Sequence, residues 1–213
     1  MAATVCSVSM FTGTAFATSN PAALVLESSG GIVPNPAPYS EVDAGAVLKL
    51  GQGGHLVFVD FYSCMQVTVA GGEVRFSSEG YQAVGASQNS QVRIPCQREI
   101  LATDVGEVAG DVLRGEPLEL PHLSSKPGFV MVGSQADDFA TVRVSQNGKV
   151  LLSSPIENRR FSWPTGSNAL PAGQYELSLL PRNARASPRM IRFVVEDGST
   201  GGQPDPLVLL RAN

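Results

Sequence analysis

The sequence predicts an all-β fold, on three observations. Its 213 residues include 22 Gly and 15 Pro against only 16% charged residues, the balance of a chain that turns often. Short runs of alternating apolar and polar residues recur, with turn residues roughly every 8 to 12 positions. Cys64 and Cys96 bracket one such β-prone stretch, and a disulfide between them would remove on the order of 3 to 4 kcal/mol of chain entropy from the unfolded state. The length suits one large or two small domains. No apolar run reaches the roughly 18 residues of a membrane-spanning helix, so no membrane span is expected.

Residues 1–17 read as a signal-peptide-like segment, because Ala15-Phe16-Ala17 carries the small-x-small pattern of a cleavage site. No Lys or Arg precedes Lys49, so the cationic start of such a signal is missing, and a disordered or strand-forming arm is the alternative. Cys6 falls in this segment, which leaves Cys64 and Cys96 as an even pair after processing. These features together predict a periplasmic or secreted bacterial protein.

Residues 18–98 read as the first β domain. Residues 23–26 open a strand, Gly30-Gly31 turns it, and a loop with Pro34, Pro36 and Pro38 ends on Tyr39, its aromatic anchor. Residues 46–50 form a strand, 51–54 a Gly-rich turn, and 55–62 a mostly apolar strand expected to be buried on both faces. Residues 65–69 alternate, Gly71-Gly72 reads as a hairpin turn, and 73–76, 81–84 and 91–94 complete a small barrel or curled sheet.

Residues 99–122 are acidic and interrupted by glycine, and read as a connector. Leu101, Val105, Val108 and Val112 have helical spacing, but Gly106 and Gly110 each weaken a helix by roughly 1 kcal/mol, so an extended strap is equally expected. Residues 123–197 carry about six short strands, with Asn147-Gly148 as a type I′ hairpin turn, the pattern of an immunoglobulin-like β-sandwich. Residues 198–213 read as a flexible tail.

The segments VLESSGGIV, DAGAVLKLGQGGHLVFVDF and MQVTVAGGEVRF, within residues 23–76, resemble the FecR-like domain family of bacterial envelope proteins. The resemblance implies a small β module without a bound ligand, serving signalling or envelope assembly. In the second half, Leu170-Pro-Ala-Gly-Gln-Tyr175 looks like the corner of immunoglobulin-like domains where a Tyr hydroxyl returns to upstream backbone. Trp163, the single tryptophan, reads as core packing, with an exposed stacking platform as the alternative.

Signs of catalysis are sparse. His55 opens a strand and His122 lies in the connector, and the spacing of Cys64 and Cys96 fits no zinc site. No nucleophile elbow, zincin or phosphate-loop motif occurs, and Gly51–Gly54 leads into a strand rather than a helix. Asp60 and Asp137-Asp138 would hold calcium only with ligands from elsewhere. Neither cofactor nor metal is therefore expected.

Charge is uneven: residues 18–122 hold 5 Lys/Arg against 12 Asp/Glu, and residues 123–197 hold 9 against 6. Arg182, Arg185, Arg189 and Arg192 form the notable polar series, as a strip for an anionic partner or as a dock for the acidic first half. An overall charge of −4 argues against nucleic acid as partner. The expected function is that of a non-enzymatic, exported envelope module binding an envelope protein or an anionic envelope polymer. A glycan- or peptidoglycan-binding protein, using Trp163 with Tyr81 or Tyr175, is the alternative, and an enzyme of unrecognised type ranks below both.

Overall fold

The computed structural model describes residues 20–104, 120–183, 186–196 and 207–212. The signal-like segment, Cys6, Arg185 and residues 105–119 lie outside this set. The chain is all-β, as expected. Its first domain comprises β1 (Pro21–Ser29), β2 (Ile32–Val33), β3 (Glu41–Asp43), β4 (Val47–Asp60), β5 (Met65–Ser77), β6 (Gly80–Val84) and β7 (Ser87–Arg93), all antiparallel in one sheet.

The two glycine groups expected as turns are instead bulges inside long strands. Between the pairs Leu50–Gly72 and His55–Ala70, four residues of β4 face one of β5. Gly53, Gly71 and Gly72 have φ values of +72°, +66° and +74°, a region that glycine enters without steric cost. At Gly72 a Cβ would stand 2.5 Å from the backbone nitrogen of Ala86, so only glycine fits. The bulges bend both strands, and the single sheet wraps around one core. Val25, Leu56, Phe58 and Val67 line that core from one arm, and Ile32, Leu48, Val74 and Phe76 from the other. Phe58 sits among the edge-on rings of Phe76 and Tyr81, 5.1 and 5.0 Å away.

Residues 56–60 are buried without a break, as the apolar run predicts. Strand alternation explains it: Leu56 and Phe58 enter the first core, while Val59 joins Leu24 on the opposite face of the sheet. The turn after β4 is held by Asp60, which accepts hydrogen bonds from the backbone N–H and hydroxyl of Ser63. Cys64 ends this turn and is joined to Cys96, the disulfide expected from the sequence.

The second domain comprises β8 (Arg98–Leu101), β9 (Thr103–Asp104), β10 (His122–Leu123), β11 (Phe129–Val132), β12 (Phe139–Gln146), β13 (Lys149–Pro155), β14 (Arg160–Phe161), β15 (Gly173–Pro181), β16 (Arg189–Val195) and β17 (Val208–Arg211). One sheet runs β10-β16-β15-β12-β13, with β9 also on β16, and the other runs β14-β11-β17-β8. Val142, Leu177, Leu179 and Phe193 of the first sheet face Phe129, Met131, Phe161 and Leu210 of the second, as in a sandwich. The order β16-β15-β12-β13, with β10 parallel to β16, makes one layer of this β-sandwich-like fold. Asn147 and Gly148 both have positive φ, as the type I′ turn between β12 and β13 requires.

Tyr175 is buried, and its hydroxyl donates to the Pro171 carbonyl at 2.7 Å, the corner bond that the sequence predicts. Tyr175→Phe is expected to lower unfolding free energy by about 0.5–1.5 kcal/mol in urea titration, with the slope unchanged.

The expected connector and tail need correction. Arg98–Leu101 and Thr103–Asp104 are strands rather than part of an acidic strap, because Ile100 and Ala102 alternate into the sandwich core. Leu101 is therefore strand, not helix, and only residues 94–97 separate β7 from β8. In the expected tail, Val208–Arg211 pairs in parallel with both β11 and β8. Its Val208, Leu209 and Leu210 are buried, which a flexible tail would not allow.

Candidate binding cleft at the domain junction

The outer face of the first sheet meets the second domain directly. Leu24 and Val59 pack against Val130, Val132 and Leu209. At the rim, Arg211 of β17 bridges Glu41 of the first domain at 2.6 Å and Glu99 of β8 at 2.5 Å. The hydrogen bonds that Arg211 donates to Glu99 and then to Glu41 push its guanidinium pKa further up, against the opposing effect of burial.

Beside this contact the two domains diverge and leave a cleft of about 660 Å³. The first domain supplies Leu26, Glu27, Val57 and Gln66, and the second supplies Lys126, Ser162, Trp163 and Leu207. An adjoining chamber of about 450 Å³ is lined by Ser154, Pro155, Glu157, Asn158 and Pro164. Tyr39, Arg160 and Ser162 line both.

Local structure fixes these shared residues. Tyr39 ends the Pro-rich loop at φ +60° and donates its N–H to Val25 at 2.7 Å. Arg160 follows a tight turn in which Asn158 and Arg159 have positive φ, closed by Glu157 and Arg160 exchanging backbone hydrogen bonds at 2.9 and 2.8 Å. Its guanidinium lies 5.9 Å from the Tyr39 ring centroid and donates to the Tyr39 hydroxyl at 3.1 Å, a cation–π pair across the junction. Arg159 turns the other way, to the Asp137 carboxylate. That hydrogen bond holds the Asp137 carboxyl below its ordinary range, with the charges of Arg159 and Arg182 adding to it against burial.

Trp163 combines both readings of it: the half-buried ring packs edge-on to Phe161 at 6.4 Å and also lines the cleft. Neither Tyr81 nor Tyr175 joins it. Tyr81 packs on Phe58 and accepts a hydrogen bond from Gln91, and Tyr175 is inside the sandwich. Tyr39, Phe129 and Phe161 are the aromatics that share the cleft with it. The place of Tyr39 as a loop anchor was legible, but its partner Arg160 lies 121 residues away.

The arginine series is not one strip. Arg189 and Arg192 stand three apart on β16, and strand alternation sends them to opposite faces. Arg182 donates to the Asp137 and Phe139 carbonyls at 3.4 Å, and Arg189 to Gln135 at 3.1 Å. Arg192 pairs with Glu176 at 3.4 Å, and Arg185 lies outside the described residues. Arg211, which sequence reading left in the tail, is a cation that pairs with Glu41 of the acidic first domain.

Of the groups weighed for metal or catalysis, His122 pairs with Glu196 at 2.8 Å, and Asp60 and Asp137 are engaged by Ser63 and Arg159. Among the described residues, no cluster of three or more His, Cys, Asp or Glu could hold a metal ion, and no helix is long and apolar enough to cross a membrane. Comparison with family models, curated proteins and solved structures finds no match.

Proposed function

We propose that this chain is a non-enzymatic, exported bacterial envelope protein that acts as an interaction or assembly module, with a FecR-like first domain and an immunoglobulin-like second. The observation that carries this reading is the cleft built jointly by the two domains, since junctions between domains are common binding sites. The Cys64–Cys96 disulfide supports an oxidising compartment, periplasmic or extracellular. An envelope protein or an anionic envelope polymer is the partner in this reading. A glycan- or peptidoglycan-binding role is the second reading, favoured by Tyr39 and Trp163 lining one cleft.

Immobilised, oxidised full-length protein is expected to retain a component of envelope extract. Ser162→Tyr, which puts a ring at the exposed position shared by both chambers and so obstructs the passage between them, is expected to reduce that retention at least about tenfold, a loss of about 1.4 kcal/mol. Arg192→Gln on the outer sheet face is expected to leave it unchanged. Equal retention by wild type and Ser162→Tyr would contradict the cleft as the binding surface.

A further inference from the structure

We propose that the junction cleft binds a neutral saccharide strand, such as a chain of N-acetylated hexosamines. This rests on the cleft as the binding surface and, of the two readings of it, on the glycan-binding one, whose ligand class it names.

The shape argues for a polymer. Tyr39, Arg160 and Ser162 line both chambers, of about 660 and 450 Å³, so the two form one trough passing over the Arg160–Tyr39 pair. The lining argues for sugar rather than peptide. A peptide docking by strand addition needs an edge with free backbone groups. Two edges reach the trough: β14 has only two residues, with the Arg160 N–H and C=O already bonded to Glu157, and β13 enters it only with Ser154 and Pro155, of which the proline has no N–H to offer. What remains for a ligand is side-chain chemistry. Lys126 and Arg160 donate, Glu27 and Glu157 accept, and Gln66, Asn158, Ser154 and Ser162 do both. Sugar hydroxyls also donate and accept, and the apolar face of a sugar ring suits flat surfaces such as Trp163, Pro155 and Pro164. Two cationic and two anionic side chains leave the trough without net charge, which favours hydroxyl- and amide-bearing sugars over polyanions.

Trp163, as the single tryptophan, is a built-in reporter. Titrating the oxidised full-length protein with a β-1,4-linked N-acetylhexosamine tetramer is expected to give a saturable change in its emission and a matching calorimetric heat. Ser162→Tyr and, independently, Lys126→Ala are expected to weaken the affinity about tenfold or more. Both positions are exposed, and unchanged circular dichroism would verify their folding. Binding of a hexuronate oligomer but not of the neutral tetramer would overturn the neutral class. Absence of heat and emission change with either oligomer would overturn the saccharide inference. If Ser162-dependent retention of an envelope protein persists in that case, the module reading stands with a protein as occupant. If retention is also independent of Ser162, both fall.

Discussion

Ending the chain before Leu207 is expected to cost the protein both its second core and its domain junction. Strand alternation along β17 sends Val208 and Leu210 into the sandwich and Leu209 onto Leu24 and Val59 of the first domain. Burying each of these side chains contributes about 1.5–3 kcal/mol, so the three together approach the roughly 5–15 kcal/mol that a whole domain has to spare. The truncation would also leave β11 and β8 without the strand that lies between them, and Glu41 and Glu99 without Arg211. The shortened chain is therefore expected to accumulate insoluble or to bind a hydrophobic dye. Point variants separate the two roles. Leu210→Ala is expected to destabilise the sandwich by about 2–5 kcal/mol in urea titration followed by Trp163 emission. Leu209→Ala is expected to act chiefly on the junction, seen as faster proteolysis between the domains. A truncated chain with the wild-type midpoint would contradict this account of β17.

Removing the disulfide is expected to have the next largest effect. Cys64 and Cys96 are 32 residues apart, and opening a loop of that size releases about 3.5–4 kcal/mol of chain entropy to the unfolded state. The loss should fall on the first domain, since the loop encloses all of β5, β6 and β7. The paired change Cys64→Ser with Cys96→Ser, or reduction by thiol, should therefore lower the midpoint of that domain. Non-reducing peptide mapping of protein recovered from the periplasm should return the Cys64–Cys96 pair. Two free thiols in that preparation would remove the support for an oxidising compartment.

Features with a local signal were legible in the sequence. The apolar run at residues 55–62, the Asn147-Gly148 turn and the Tyr175 corner each declare themselves within a few residues; the structure places the turn and the corner as expected, and the run as strand only through Asp60, with Phe61 and an exposed Tyr62 in the turn that follows. The misread features depend on distant partners. A glycine pair at positive φ serves a hairpin or a bulge equally well, and only the pairing of Leu50 with Gly72 and His55 with Ala70 decides for the bulge. Likewise Leu-Val-Leu-Leu after a Gly- and Pro-rich stretch is short enough to pass for a tail. Its strand identity comes from parallel neighbours around residues 98–101 and 130–132. The arginine series misled in the opposite direction, because closeness in sequence along a strand does not mean a shared face. The cleft was hidden for the same reason as β17: Tyr39 and Arg160 meet only once the two domains pack.

The most direct test of the junction cleft as the binding surface is differential hydrogen exchange of the protein, free and carrying the component it retains from envelope extract. Slowed exchange in residues 126–130 and 154–164, with little change in residues 149–152, is the expected result. Protection confined to residues 149–152 of the β13 edge, or to the Arg192 face of β16, would contradict it and move binding away from the junction.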